Sequence, residues 1–138
     1  MRTLLFSLVL TFLLVGCKDA NPAAASEAAP PEISVEDASK ALQSGAVAVD
    51  ANSASTRKKH GTVPGAIILT SSSKYELAQL PEDKSKDLIF YCSSTYCTAS
   101  DSAAERASTN GYENVHVMRE GIKGWKDAGK ATAPYPQS

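Results

Sequence analysis

From residue 34 onward, short apolar runs alternate with segments of helical spacing. Ser34-Val35-Glu36-Asp37 is a capping-box pattern, with a serine before the first turn and an acid three residues later. It predicts a helix to about residue 44, with Gly45 as its C-cap. Residues 46–50 (Ala-Val-Ala-Val-Asp) form a continuous apolar run ending in a carboxylate, which suits a strand buried on both faces. Residues 53–59 are polar and predict a short helix, and Gly61-Thr62-Val63-Pro64-Gly65 is turn chemistry. A second strand is expected at 66–69, a helix at 74–80 ending before Pro81, and a third strand at 87–91. Residues 98–110 carry Ala99, Ala103, Ala104 and Ala107 at near-helical spacing and close on Gly111. A fourth strand at 115–118 and a last short helix within 121–128, carrying Trp125, complete the pattern. Strands alternating with helices predict an α/β domain with a mainly parallel sheet, whose ligands sit at the carboxyl ends of the strands. Asp50 and Cys92 both fall at such ends.

The first residues do not fit this pattern. Arg2 precedes a nearly continuous apolar run from Leu4 to Val15, too short to span a bilayer comfortably but suited to an export signal. The run ends in Leu14-Val15-Gly16-Cys17, which resembles the lipobox of bacterial lipoproteins, where the cysteine is lipidated and the preceding residues are removed. The expected organisation is a signal peptide at 1–16, a lipid-anchored flexible linker at 17–32, a folded domain at 33–133 and a tail at 134–138. Residues 18–31 are small, Ala- and Pro-rich and lack large apolar side chains, as a tether does. The expected location is therefore exported and membrane-anchored, on the periplasmic side; Lys18 resembles outer-membrane sorting in some bacteria.

The 138 residues are enough for one domain, and the formal charge of −1 has both signs interspersed. No basic stripe points to nucleic acid and no acidic block to a solvating tail. Three cysteines less an acylated Cys17 leave Cys92 and Cys97, two thiols that can pair in an oxidising compartment or be kept reduced for chemistry.

Residues 88–98 (Leu-Ile-Phe-Tyr-Cys-Ser-Ser-Thr-Tyr-Cys-Thr) carry the chemistry. A thiol at the end of a buried strand, with its loop leading into a helix N-terminus, sits where backbone N–H groups and the helix dipole favour an anion. Cys92 is the candidate nucleophile. The backbone N–H groups of Ser93, Ser94, Thr95, Tyr96 and Thr98 are the candidate anion cradle. Tyr96 is a candidate cover or acceptor-selecting residue.

The order of strand-Asp50, Gly61-Thr62-Val63-Pro64-Gly65-Ala66, strand-Cys92 with a six-residue loop, Gly111-Tyr112-Glu113-Asn114-Val115, and Glu120 to Gly129 resembles the rhodanese (sulfurtransferase) domain over residues 33–133. The resemblance implies a small α/β fold with a central five-stranded sheet flanked by helices. It implies that Cys92 accepts a sulfane sulfur from a small donor such as thiosulfate, a persulfide or a polysulfide. Cys92 then holds it as a persulfide and passes it to a thiol acceptor. Neither a metal nor an organic cofactor is implied. A six-residue loop looks like the sulfurtransferases, whereas related phosphatases and arsenate reductases have one residue more.

The sequence departs from the family pattern where Cys97 replaces an arginine at the loop's end, Thr95 a mid-loop glycine, Asn52 an arginine and Thr62 a histidine. The active face thus loses cationic donors and is expected to bind a doubly charged donor less well. The substitution at 97 suggests another mechanism: if the two Cα atoms lie within about 7 Å, Cys97 can resolve a persulfide on Cys92 and close a disulfide. The alternatives are a thiol–disulfide oxidoreductase using the same pair, and a non-catalytic binding module. Asp50 is expected to shape the cleft as a supporting carboxylate. Arg57, Lys58 and Lys59 are expected on a solvated face that lends positive potential to the cleft, and His60 in a solvated loop. Trp125 is expected to pack the last helix on the sheet, and Arg119 and Glu120 lie just after the last strand.

Overall fold

A computed structural model gives the fold of residues 28–136; the segment expected to be an export signal, Cys17 and most of the expected tether lie outside the described residues. Helix α1 spans Val35–Gln43, with the Asp37 N–H donating to Ser34 Oγ as the capping pattern requires. Strand β1 is Val47–Asp50, helix α2 Ala54–His60 and strand β2 Ile67–Ile68. A 3₁₀ turn at Leu77–Gln79 precedes strand β3 (Asp87–Tyr91), helix α3 (Ala99–Thr109), strand β4 (Asn114–Met118) and helix α4 (Gly121–Asp127).

All pairings of the named strands are parallel, in the order β2-β1-β3-β4. The sheet is buried on both faces, and the alternation of side chains divides the core in two. Val49, Leu88, Phe90, Val115 and Val117 pack with Ala103, Ala104 and Ala107 of α3. Ala48, Ile89, Tyr91 and Met118 pack with Val35 and Ala38 of α1 and with Ile122 and Trp125 of α4. Alanines on the buried stripe of α3 let its backbone approach the sheet closely. Trp125 is a core residue, and its indole N–H donates to the Ala131 carbonyl at 2.8 Å.

Two expectations need correction. Among the described residues the sheet has four strands, not the five implied by the resemblance. Beyond β4 the described residues make a single parallel bridge, Glu32 opposite Val117. In it Val117 N–H donates to Pro31 O at 2.9 Å and Ile33 N–H to Val117 O at 3.0 Å. Pro30 and Pro31 have no N–H to extend the ladder backwards, and Ser34 already caps α1 on the other side. The helix expected at 74–80 is only the Leu77–Gln79 3₁₀ turn. Tyr75 is fully buried with its hydroxyl donating to Ala103 O at 2.8 Å, Glu76 is extended, and Pro81 forbids continuation. One buried anchor outweighs the helical propensity of its neighbours.

Candidate functional site

The register sets Asp50, Tyr91 and Met118 level with one another across β1, β3 and β4. The chain therefore leaves the sheet at one edge, with Ala51, Cys92 and Arg119 as the first residues past the strands. Parallel strands connected by helices force this arrangement, because every crossover begins at the same edge.

Cys92 is 1% exposed, and its sulfur is joined to that of Cys97 in a disulfide with the Cα atoms 6.2 Å apart. Cys97 is half-buried. Within the loop, Cys97 N–H donates to Ser94 O at 3.0 Å, which curls the chain so that the two sulfurs meet. The Cys92 sulfur lies 3.1 Å from the Cys97 carbonyl oxygen and 3.3 Å from Ser100 Oγ. A disulfide sulfur carries no proton, so of these two neighbours only the Ser100 hydroxyl can donate to it. The N–H groups of Ser93, Ser94, Thr95 and Tyr96 have no protein acceptor among the described residues. Thr98 stands at the N-cap of α3, whose first turn is directed at the loop without a side-chain cap.

Helix α4 holds the loop from the other side. Ile122 N–H donates to Cys92 O at 2.8 Å and Lys123 N–H to Ser93 O at 3.1 Å. Gly121 makes this docking possible: its φ is +63°, and a Cβ there would lie 2.5 Å from Cys92 O and 2.7 Å from Ser93 C.

Asp50 and Cys92 share the sheet edge, and among the described residues no hydrogen bond joins their side chains. Asp50 is wholly buried and accepts from Asn52 N–H at 2.8 Å, Arg57 Nε at 3.0 Å and the Tyr91 hydroxyl at 2.7 Å. Arg57 also donates to Asp50 O and Leu69 O, at 3.2 and 3.0 Å, and Val63 N–H donates to the Tyr91 hydroxyl at 3.0 Å. This network clamps the β1–α2 turn, the Val63 turn and the ends of β2 and β3. Burial, followed by the neighbouring Asp50 carboxylate, pushes the Tyr91 phenol far above its ordinary range, so it acts as a neutral donor. Asn52, where the family resemblance has an arginine, is buried, and its Nδ2 lacks a protein partner among the described residues.

Arg57 therefore departs from the solvated face expected of it: it is 5% exposed, while Lys58 and Lys59 stay at the surface. His60 is the last residue of α2, half-buried, rather than a loop residue. Arg119 is committed to a two-pronged pair with Asp101 at 2.6 and 2.7 Å and to Glu32 at 2.9 Å, so its charge is spent tying β4, α3 and the Glu32 bridge together. The hydrogen bonds to Asp101 hold its pKa well above the ordinary arginine value. Tyr96 is 94% exposed and covers nothing in this state. Ser100 escaped sequence reasoning; its one signal is its place in the first turn of the helix that follows the thiol loop.

Residues 34–128 match the family model of the rhodanese-like domain. Among solved structures, a Bacillus halodurans protein superposes with a TM-score of 0.65 at 22% identity, covering 75% of this chain and 77% of that one. A rhodanese-related protein from Thermoplasma volcanium gives 0.60 at 21% identity, covering 76% of this chain and 99% of its own. A 3-mercaptopyruvate sulfotransferase from Escherichia coli gives 0.57 at 17% identity, covering 78% of this chain and 53% of that one. None of the curated proteins matches the chain. Identities this low establish a common fold and no more.

Proposed function

The chain belongs to the rhodanese-like domain family, and we propose that it is a sulfurtransferase that carries sulfane sulfur on Cys92 and resets through Cys97. The observation that carries this reading is the disulfide between the strand-end cysteine and the second thiol of its own loop. In the reduced protein the Cys92 thiolate attacks the outer sulfur of a donor such as thiosulfate. A Cys92 persulfide forms and sulfite leaves. The unpaired N–H groups of residues 93–96 and the uncapped first turn of α3 supply donors for the anionic sulfur without reorganisation. An acceptor thiolate then takes the outer sulfur and Cys92 departs as thiolate. Alternatively, Cys97 thiolate attacks the inner sulfur, the Cys92–Cys97 bond forms, and the outer sulfur leaves as hydrosulfide. The two thiols are oxidised as the sulfane sulfur is reduced, and an external dithiol resets the pair.

The same disulfide favours a second reading, thiol–disulfide exchange with partner proteins. The two part company in one assay: the reduced protein is treated with thiosulfate or polysulfide and weighed intact. Sulfur transfer adds one sulfur to Cys97→Ser protein and none to Cys92→Ser protein. If Cys97→Ser protein gains no sulfur, and disulfide forms with oxidised thiols alone, the exchange reading replaces it. With no change in either assay, a binding module remains. We further propose that the domain sits outside the cytoplasm on a lipidated Cys17, a reading supported by the apolar run of residues 4–15 that ends in Leu14-Val15-Gly16-Cys17; in that oxidising setting such a pair needs a dedicated reductant. Metabolic labelling with a fatty-acid analogue, lost in Cys17→Ser, tests the anchor.

A further inference from the structure

Beside the cysteine loop lies a second feature that the sulfur chemistry above does not use. A pocket of about 290 Å³ opens between α2 and α4, lined by Ser55, Thr56, Lys59, His60, Ser93 and Lys123. Its lining holds two lysines, a histidine and three hydroxyls, and no carboxylate. Neither lysine forms an ion pair among the described residues. Ser93 belongs to the loop and follows Cys92 directly, and the backbone of Lys123 is bonded to it at 3.1 Å. The pocket and the thiol loop therefore share a wall.

We propose that this pocket is an anion site that holds the oxyanion end of a sulfur compound next to the Cys92 loop. The positions where the family resemblance carries cations are Asn52 and Cys97 in this chain. Lys59 and Lys123 bring positive charge to the same edge of the sheet from two helices instead. The hydroxyls of Ser55 and Thr56, hydrogen-bonded to Ser53 Oγ at 2.9 and 3.1 Å, line the same pocket; Ser53 has one proton to share between them, so at least one must give up that bond to turn its donor to a tetrahedral oxyanion. His60 already feels the field that a ligand would relieve: burial first, then Lys126, Lys59 and Lys123, hold its pKa below the ordinary 6.5. The identity of the ligand rests on the sulfur-transfer reading, but the existence of the site does not.

The test uses the full chain in its disulfide state, where no sulfur chemistry competes. It is titrated with sodium sulfate, which has no sulfur to give, then with thiosulfate and with succinate, against chloride at matched ionic strength. Amide and imidazole resonances are followed by NMR. The expected result is saturable movement centred on Thr56, Lys59, His60, Ser93 and Lys123 with sulfate and thiosulfate. Binding weakens about tenfold or more when Lys59→Gln and Lys123→Gln are combined, and is unchanged in Lys86→Gln, which removes the same charge at the other end of β3. Equal movement with chloride, or full binding in the double variant, overturns the site. Succinate binding as tightly as sulfate overturns the ligand class. Persulfide formation on Cys92 with no sulfate binding would overturn the pocket and leave the proposed reaction standing.

Discussion

The Asp50 carboxylate and the Arg57 guanidinium form an ion pair at 3.0 Å with side chains 0% and 6% exposed. Removing one member of such a pair leaves an uncompensated buried charge, at a cost of about 3–5 kcal/mol. Asp50→Ala is therefore expected to lower the unfolding free energy by that order in urea melts. Tyr91→Phe, which strips a single donor from Asp50 and an acceptor from Val63 N–H, is expected to cost about 1–3 kcal/mol. An Asp50→Ala protein that unfolds with the wild-type midpoint would mean the network is ornamental.

This pair also marks where the sequence was legible. The capped start of α1, the strands around Val49 and Phe90 and the alanine stripe of α3 each follow from local pattern, and the structure has them in place. That Asp50 and Cys92 reach one edge also follows from counting strands. Arg57 does not follow: within Arg57-Lys58-Lys59 nothing local says which cation turns inward, because the partner carboxylate and the Leu69 carbonyl come from elsewhere in the chain. Tyr75 fails for the same reason, its partner Ala103 being 28 residues away. The fifth strand fails on a local detail, two prolines at the position where a ladder needs donors.

Gly121 gives a sharp test of how the loop is held. With φ at +63° and loop backbone atoms within 2.8 Å of an added Cβ, Gly121→Ala must push α4 off the cysteine loop. Strain and overpacking together are expected to cost about 2–4 kcal/mol, with loss of sulfur loading on Cys92. Gly45 has φ +104° and open space around it, so Gly45→Ala is expected to cost only about 1 kcal/mol, with loading intact. Equal behaviour of the two variants in chemical unfolding and persulfide assays would remove α4 docking as a requirement.

His60 gives the domain a pH signature. The fold disfavours its charged form, so the unfolded chain binds its proton more readily. The sign follows: this contribution to stability is present above pH 6.5 and is lost as pH falls through 6.5 toward the lower folded value. An NMR titration is expected to give a midpoint under 6.5, and Lys126→Gln, which removes the strongest of the charges acting on it, is expected to move that midpoint up. A wild-type midpoint at or above 6.5 would contradict the burial of the ring together with the cations around it.

The unequal exposure of the two sulfurs predicts which one meets an external thiol. Cys92 is 1% exposed and walled by Ser100, whereas Cys97 is half-buried beside the fully solvated Tyr96. Exchange requires an attacking thiolate to reach one sulfur while the other leaves, so access selects Cys97 as the point of attack and Cys92 as the leaving group. The Ser100 hydroxyl is placed to donate to the departing thiolate. When the reduced single-cysteine variants are treated with oxidised glutathione, Cys92→Ser protein is expected to form its mixed disulfide on Cys97 at least about tenfold faster than Cys97→Ser protein forms one on Cys92. Ser100→Ala is expected to slow reductive opening of the wild-type disulfide by about three- to tenfold, the loss of one hydrogen bond to a leaving thiolate, with the far-UV spectrum unchanged. Stopped-flow reduction by a dithiol and intact-mass time courses measure both. Glutathione loading of the two variants at the same rate would mean that the loop opens before exchange, and that the buried sulfur is reached as readily as the exposed one.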